Sequence, residues 1–351
     1  MPSLCAMNME HPRVGSHVEE NKKAVHSAVV AGALRELSRQ EIQEPIDPVF
    51  EEAVTRGIKV ALDNIRRRFQ DTRDPDIEAA KGPDANLEFH NETHTQEVME
   101  RTRRILEAMG VSERRIRLGE LLAAYHDTIQ GFQEKKRERD GAMMRDRFIS
   151  KNEEESANEL IAYMKSCPGV FDDEEIGIVL SGIQHTVPDW DIPNKTVKQP
   201  TFLDSITTAL GQLLDSNSPE LVKRALALAD LGTAGMDGWE KYIPEGNNIF
   251  REENLDFPRL LNDPAHREFL TKRMLSWSQA QVDFAKGRQK LLTTELGGLE
   301  PQMAQRVREL FSQFDDSIRA AEAQLEERQK METFKQLAES FGYTSPKYTF
   351  H

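Results

Sequence analysis

Two aspartates stand at the ends of the most apolar helix-like stretches of this chain. Asp127 follows the apolar residues 121–124, and Asp230 follows residues 225–229. A helix that is apolar on nearly every face is expected to be buried, and an ionised carboxylate there is costly unless it is paired or binds a cation. The pattern therefore predicts a helical interior with buried carboxylates. Either aspartate alone also fits a helix-end cap or a salt bridge.

Two histidines join the aspartates in an ordered set. His94 lies in the helix-like segment that opens at residues 89–94, and His126 directly precedes Asp127. Two imidazoles and two carboxylates suit a divalent ion that is neither strictly soft nor strictly hard. Four protein ligands can leave positions open for water, and a metal-bound water is a ready nucleophile. The candidate metal ligands are therefore His94, His126, Asp127 and Asp230.

This order of residues resembles the signature of the HD-domain metal-dependent phosphohydrolase superfamily, which is a His, then a His-Asp pair, then a distant Asp. The chain is most similar to a small bacterial branch with a Tyr/Phe-His-Asn-x-x-His opening, which residues 89–94 match. Cyclic-nucleotide phosphodiesterases share that opening. The resemblance covers roughly residues 45–240. Only the whole ordered set is specific, because a His-Asp dipeptide alone is common.

The resemblance also implies roles for individual residues. If a helix begins near Asn91, His90 and His94 lie about one turn apart. In the phosphodiesterases with this opening the earlier histidine protonates the leaving oxygen, so His90 is the candidate general acid, a role that suits an imidazole. A capping or supporting position is the alternative for His90. Asp127 is both a ligand and a catalytic candidate, because in binuclear relatives it bridges to a second ion.

A second matching stretch is residues 152–157, which resembles a run that opens a helix near the site in the bacterial branch. It makes Glu153 and Glu154 candidates for lining the site. Residues 150–153 also fit a capping box, with acidic side chains at the positive end of the helix dipole.

His185 is a candidate for a supporting contact, and a solvent-facing or core position is the alternative. Some HD enzymes bind a second metal through extra histidines, but His185 is the only extra histidine here, so a second metal is unsupported. The further candidates for substrate or supporting contacts are Asn91, His185, Lys135 and Arg139.

A cluster of basic residues lies between the His-Asp pair and residues 152–157. The chain has 46 Lys and Arg against 60 Asp and Glu, a net charge of −14, and this balance argues against bulk binding to a nucleic-acid backbone. The cluster either attracts an anionic phosphate substrate or is a solvated loop, because acidic residues are interleaved with it. Its members are Lys135, Lys136, Arg137, Arg139, Arg145, Arg147 and Lys151.

The helical pattern predicts an all-α fold, an irregular helical bundle with a C-terminal helical extension, and the resemblance implies that the bundle is of the HD-domain type. We expect a disordered tail over residues 1–22, the phosphohydrolase domain over 23–240, and an irregular connection with a helical arm over 241–351. The connection itself is expected over 241–265, because prolines and glycines recur there. Gly110 should end the helix that carries His94, and Pro301 should start a helix of the arm.

The arm carries an apolar stripe that must be covered. We expect the stripe to pack on the core or to form a helical hairpin, and a homodimer seam is the alternative. Because none of the proposed ligands lies beyond Asp230, the arm is expected to support stability or assembly and to supply no catalytic group. The stripe consists of Met303, Val307, Leu310, Phe314 and Ile318.

The chain shows none of the sequence features of a membrane or secreted protein. No apolar stretch approaches transmembrane length, and the first 20 residues lack a charged region followed by an apolar run. The two cysteines, Cys5 and Cys167, are too few for a disulfide framework. A cytoplasmic protein without a membrane partner is therefore expected.

Three functions fit this sequence. The first is a phosphohydrolase acting on a nucleotide or a similar small phosphorylated metabolite. The second is a phosphodiesterase for cyclic or linear nucleotides, which His90 favours. The third is a catalytically weak nucleotide-sensing or scaffold module, and the intact ligand types argue against it. The expected cofactor is a divalent metal ion, and Mn, Mg, Fe, Ni, Co and Zn all fit two nitrogens plus carboxylates.

Overall fold

The computed structural model describes residues 46–70, 87–138, 141–199 and 213–344. This part of the chain is mostly helical, with two small two-stranded sheets. The all-α expectation is therefore confirmed in its coarse form. The expected tail over residues 1–22 lies outside the described residues.

The helices run through the whole described part of the chain. In chain order they are α1 (Pro48–Ile65), α2 (Glu92–Met109), α3 (Glu113–Tyr125), α4 (Lys151–Lys165), α5 (Asp173–Gln184), α6 (Glu220–Asp230), α7 (Thr233–Met236), α8 (Trp239–Glu253), α9 (Phe257–Leu260), α10 (Arg267–Glu295), α11 (Pro301–Leu310), α12 (Phe314–Gln329) and α13 (Phe334–Ser340). A π-helical turn, Arg66–Gln70, extends α1, and a 3-10 turn, Pro264–His266, precedes α10.

Two antiparallel hairpins interrupt the helical order. Strands β1 (Phe132–Lys136) and β2 (Met143–Arg147) pair with each other, and β3 (Asp189–Asp191) pairs with β4 (Thr196–Lys198). The sequence did not predict these strands, because they are short and mostly polar and show no clear alternation of apolar and polar residues. Both hairpins reach the cavity described below.

The helix that carries His94 is defined by local signals at both ends. The side chain of Asn91 accepts hydrogen bonds from the backbone N–H groups of Thr93 and His94 at 2.9 and 3.2 Å, which caps the start of α2. The helix ends at Gly110, whose φ of 73° is in the left-handed region that glycine adopts without a side-chain clash. The prediction that Gly110 ends this helix is confirmed.

Helix α8 differs from the expectation of an irregular connection over 241–265. Pro244 lies inside this helix and removes one backbone hydrogen bond there. Contacts with α10 hold the helix in place. The hydroxyl of Tyr242 donates to the carbonyl of Gln281 at 2.5 Å, and the indole N–H of Trp277 donates to the carbonyl of Gly246 at 2.9 Å. Tertiary packing thus overrides a sequence that contains helix-breaking residues.

The apolar stripe of the arm packs into the same hydrophobic core as α1 to α6. Met303, Val307 and Phe314 are buried in this core, and Leu310 and Ile318 are partly buried against it. The expectation that the stripe packs on the core is confirmed, so this chain covers the stripe without a second copy. Among the described residues, none of the helices has the length and apolarity needed to span a membrane.

Candidate metal centre and cavity

The four predicted metal ligands converge from three helices. His94 lies in the first turn of α2, His126 and Asp127 follow the end of α3, and Asp230 is the last residue of α6. The Nε2 atom of His126 lies 3.1 Å from Oδ2 of Asp127, and Nε2 of His94 lies 3.6 Å from the same oxygen. Oδ1 of Asp230 lies 3.5 Å from Nε2 of each histidine.

These separations fit donors that surround one ion. Ligands about 2.1 Å from a metal are roughly 3.0 to 3.4 Å apart for angles between 90° and the tetrahedral value. The separation of 3.1 Å lies in this range, and those of 3.5 and 3.6 Å lie slightly above it. The Nε2 atoms of His94 and His126 are buried and make no hydrogen bond, which is unusual for buried polar atoms and indicates a missing partner. The buried cluster of His94, His126 and Asp127 can hold a metal ion, and Asp230 approaches the same two nitrogens.

The orientation of His126 also suits a metal ligand. Its Nδ1 lies 2.7 Å from the carbonyl oxygen of Ala123, and a carbonyl can only accept a hydrogen bond. In the neutral ring the proton is therefore on Nδ1, and the lone pair of Nε2 faces the two carboxylates. A backbone carbonyl that fixes the tautomer in this way is a common supporting partner of metal-binding histidines. Burial lowers the pKa of His126, but Asp127 and Asp230 outweigh burial and raise it well above its usual value, because a proton on Nε2 then takes the place of a cation.

The carboxylates of the centre stay ionised although they are buried. Burial alone would raise the pKa of Asp127, but the adjacent His126 outweighs it and holds this pKa well below its usual range. Burial of Asp230 is likewise outweighed by its contacts with the two histidines, so its pKa is lowered. Burial dominates at His94 and lowers its pKa. The centre therefore carries negative charge that a cation would neutralise.

His90 is held between a carboxylate and a guanidinium group. Its Nδ1 lies 2.5 Å from Oε1 of Glu252, and the other carboxylate oxygen accepts hydrogen bonds from the backbone N–H groups of Phe89 and His90 at 2.9 and 3.1 Å. Nη1 of Arg147 lies 2.9 Å from Nε2 of His90. Because a guanidinium only donates, Nε2 is the acceptor and Nδ1 carries the ring proton.

Glu252 is a residue that the sequence reasoning missed. Burial raises its pKa, but its contacts with His90, the backbone N–H of Phe89 and Arg145 outweigh burial, and the pKa falls to about 2. Glu252 belongs to α8, in the segment for which an irregular connection was expected. Glu252 thus lies in the expected connection and not in the arm, and the expectation that the arm supplies no catalytic group stays a prediction. No short-range signal marks Glu252, because 162 positions separate it from His90.

A cavity of about 490 Å³ opens beside the metal centre, a size typical of small-molecule sites. One end is formed by His90, Asp127 and Asp230. The remaining walls are largely apolar and aromatic, and α8 and α10 supply much of them. The main aromatic and aliphatic members of these walls are Phe89, Trp190, Tyr242, Ile249, Trp277 and Phe284.

The two glutamates predicted at the start of α4 have different positions. Glu153 is buried and lines the cavity, its Oε2 has no hydrogen-bond partner, and burial raises its pKa. Glu154 is exposed and does not line the cavity. The capping box expected over residues 150–153 is absent, because Ser150 has a φ of 69° and its side chain makes no capping hydrogen bond.

Residues 152–157 hold the loop that follows the His-Asp pair. The side-chain amide of Asn152 accepts from the backbone N–H of Gly131 at 2.9 Å and donates to its carbonyl at 3.0 Å. The hydroxyl of Ser156 accepts from the backbone N–H of Ile129 at 3.1 Å. This run therefore positions the backbone next to Asp127 and brings Glu153 to the cavity.

The other predicted contacts fall mostly outside the cavity. Asn91 caps α2, and His185 ends α5 with its Nδ1 2.5 Å from the carbonyl of Ser181. Lys135 is exposed and forms an ion pair with Asp146 at 3.3 Å. Arg139 lies outside the described residues.

Two other members of the basic cluster line the cavity instead, namely Arg145 and Arg147. Both lie on β2, and residues two apart on a strand share a face. This spacing could have identified them only if a strand had been expected here.

Two further acidic residues of α8 line the cavity. Burial raises the pKa of Glu245 to about 8 and also raises the pKa of Glu253. Glu245, Ile249 and Glu253 are spaced four residues apart, so they share one helix face. This spacing could have identified them only if a helix had been expected here.

No protein-family model, no curated protein and no solved structure matches this chain. The residues of the metal centre and the cavity beside it are therefore the features that indicate a function.

Proposed function

We propose that this chain is a metal-dependent hydrolase of phosphate esters of the HD-domain type. The observation that carries the proposal is the meeting of two unpartnered imidazole nitrogens and two ionised carboxylates at one end of a cavity of about 490 Å³. A structural role alone would leave these buried nitrogens without partners, at a cost of roughly 1–3 kcal/mol each. A bound divalent cation would satisfy all of them.

The ligand residues of the proposed enzyme are His94, His126, Asp127 and Asp230. When bound, a divalent ion polarises a phosphoryl oxygen and lowers the pKa of a water molecule that it binds. Mixed nitrogen and oxygen ligands accept Mn, Mg, Fe, Ni, Co or Zn. The four residues would hold the ion beside the cavity that Asp127 and Asp230 line, where an entering phosphate ester could reach it.

His90 is the general acid in this proposal. Glu252 fixes its orientation and keeps a proton on Nδ1, so that Nε2 faces Arg147 and the cavity. Nε2 can protonate a leaving oxygen only after Arg147 has moved off this nitrogen and Nε2 has taken up a proton from solvent, while Nδ1 of the resulting imidazolium still donates to Glu252. A phosphoryl group would favour that movement, because it offers the guanidinium a charged acceptor.

The cavity walls favour a substrate that joins a phosphoryl group to a flat or apolar group. Aromatic side chains such as Trp277 and Phe284 line the part of the cavity contributed by α10, and a nucleotide base fits such a surface. A phosphomonoester of a nucleotide or of a similar small metabolite is the first candidate. A cyclic or linear nucleotide diester is the second, and His90 favours it, because the phosphodiesterases that share the opening of residues 89–94 use this histidine as the acid.

The test is hydrolysis by the full chain loaded with each of the six metals in turn. The substrates are nucleoside mono-, di- and triphosphates, cyclic nucleotides and bis-p-nitrophenyl phosphate, and metal content is measured in parallel. We expect about one ion per chain and turnover that stops when a chelator removes it. Absence of metal binding together with absence of turnover would overturn the proposal. Preference for monoesters or for diesters decides between the two substrate classes.

A further inference from the structure

Arg147 has more hydrogen-bond donors than partners. It ends β2 and lines the cavity, and its side chain is 19% exposed. Nη1 donates to Nε2 of His90 at 2.9 Å, and Nη2 lies 3.8 Å from Oδ1 of Asp127, which is too long for a hydrogen bond. Its Nε is buried and makes no hydrogen bond. A guanidinium has five N–H donors, so most of the binding capacity of this one is unused.

The nearby carboxylates do not satisfy this cation. Asp127 belongs to the metal centre, and Glu252 accepts from His90 and from two backbone N–H groups. Glu153 and Glu253 also lie close enough to interact electrostatically with Arg147, but neither forms a hydrogen bond or an ion pair with it. A buried cation without full pairing is costly, so this position favours an additional anion in the cavity.

Arg145 adds a second fixed positive charge to the same wall. It lies two residues before Arg147 on β2 and also lines the cavity. Its Nε donates to the backbone carbonyl of Glu252 at 3.1 Å, and its guanidinium stacks 3.8 Å from the ring centre of Phe132. These contacts hold Arg145 in place, whereas Arg147 has one neutral acceptor. Of the two, Arg147 is the one with donors to offer a ligand.

We propose that Arg147, supported by the charge of Arg145, is the subsite that binds the phosphoryl oxygens of the substrate. The inference rests on the proposed function and assigns one end of that substrate to a named side chain. Arginine suits this ligand because its planar fork can donate two parallel hydrogen bonds to one phosphoryl group. Turning towards the ligand also takes the guanidinium off Nε2 of His90.

The test compares three variants of the metal-loaded full chain. Arg147→Gln removes the charge and the fork, Arg147→Lys keeps the charge alone, and Lys135→Gln removes one charge from the exposed face of the same hairpin. The probe is inorganic phosphate, with binding measured by calorimetry and metal content measured on each sample. We expect Arg147→Gln to weaken phosphate binding by about 10- to 100-fold, Arg147→Lys to weaken it less, and Lys135→Gln to leave it unchanged.

Three results would overturn the subsite. The first is phosphate affinity in Arg147→Gln equal to that of the unmodified chain. The second is an equal loss of phosphate affinity in Lys135→Gln, which would show that the summed positive charge of the β1–β2 hairpin, and not Arg147 itself, attracts phosphate. The third is loss of metal from Arg147→Gln, which would make Arg147 a structural partner of Asp127.

Failure of the subsite can be told apart from failure of the proposed function. Turnover by the unmodified chain together with unchanged phosphate affinity in Arg147→Gln would remove the subsite and keep the hydrolase. Phosphate binding that depends on Arg147, without turnover of any substrate in the panel, would keep the subsite and remove the hydrolase. A non-hydrolysable phosphate ester that competes with inorganic phosphate supports the subsite as the position of substrate, and an ester that binds without competing overturns it.

Discussion

The two sides of the cavity come from different parts of the chain and were predictable to different degrees. The ligand side consists of α2, α3 and α6 and carries His94, His126, Asp127 and Asp230. The covering side consists of α8 and α10 and contributes the aromatic wall together with Glu252. Every proposed ligand lies on the ligand side. The covering side supplies a carboxylate that no motif marked, and this carboxylate holds the candidate acid His90.

The ligand side was more predictable from the sequence than the covering side because the two sides have different chemical requirements. A metal ligand must be one of a few residue types in one position, so its chemistry is visible in the sequence. A cavity wall needs only shape and low polarity, which many residue types supply. A supporting carboxylate such as Glu252 is defined by its partner, and that partner is distant in the chain. Function on the covering side therefore depends on the packing of α8 against its neighbours.

The largest expected loss of metal binding and turnover follows a substitution on the ligand side. Asp127→Ala should lose most bound metal and nearly all hydrolysis while helix content survives, because the centre loses one of the two carboxylates that approach both histidines. Metal analysis, turnover and circular dichroism measure the three quantities. Asp173→Ala, at an exposed position in the first turn of α5, is the control and should behave like the unmodified chain. Full metal and full activity in Asp127→Ala would remove the ligand side from the reaction.

The next effect tests the residue at which the two sides meet. His90→Ala should keep its metal and slow cleavage by roughly 10²- to 10⁴-fold, the contribution of a positioned acid. The loss should be smaller for p-nitrophenyl esters, because p-nitrophenolate needs little protonation. Initial rates on good and poor leaving groups measure this dependence. An equal loss on both kinds of ester would exclude His90 as the acid.

The third effect tests whether the arm and the ligand side share one core. Phe314 is 3% exposed and is buried in the same core as α1 to α6. Phe314→Ala should lower the free energy of unfolding by about 3–5 kcal/mol, measured by urea denaturation. Leu180→Ala, at a position that is 42% exposed, should change it by about 0.5 kcal/mol or less. Two separate unfolding transitions in the unmodified chain would contradict a shared core.

A smaller loss of turnover is expected when the covering side no longer supplies the carboxylate that orients His90. Glu252→Gln keeps the shape of the side chain but removes its charge, and turnover should fall by about 10- to 100-fold with metal retained. The loss should show the same leaving-group dependence as in His90→Ala. It should add little in the double variant, because the two residues act as a unit. Full additivity in the double variant would show that Glu252 acts independently of His90.

The smallest effect concerns the pH dependence of stability. Burial raises the pKa of Glu245 from 4.5 to about 8, so the folded chain keeps a proton that the unfolded chain releases. The stabilisation is fully present below pH 4.5 and is lost as the pH rises towards about 8. Glu245→Gln should flatten the stability profile between these values, measured by urea denaturation at several pH values. An unchanged slope would mean that Glu245 is ionised in the folded chain.

Glu252 should show the opposite dependence, which provides an internal comparison. Its pKa is lowered from 4.5 to about 2, so its stabilisation is present above pH 4.5 and is lost as the pH falls towards 2. Glu252→Gln should therefore alter the acid limb of the same profile and leave the slope between pH 4.5 and 8 unchanged.

Much of the helical framework could be predicted from the sequence, because its signals are local. Gly110 ends α2 and Pro301 starts α11, as expected. The apolar runs before Asp127 and Asp230 predicted burial of their helices, and the structure buries both. The ordered histidines and aspartates also defined the residues that the structure brings together.

The sequence by itself thus determined the helices of the ligand side and the residue types available for a metal. Only the tertiary structure decided that α8 continues through Pro244, that Glu252 contacts His90, and that the basic cluster reaches the cavity through Arg147. The physical reason is the range of the interactions. Caps and apolar periodicity act over a few residues, whereas these contacts form only when packing brings distant segments together.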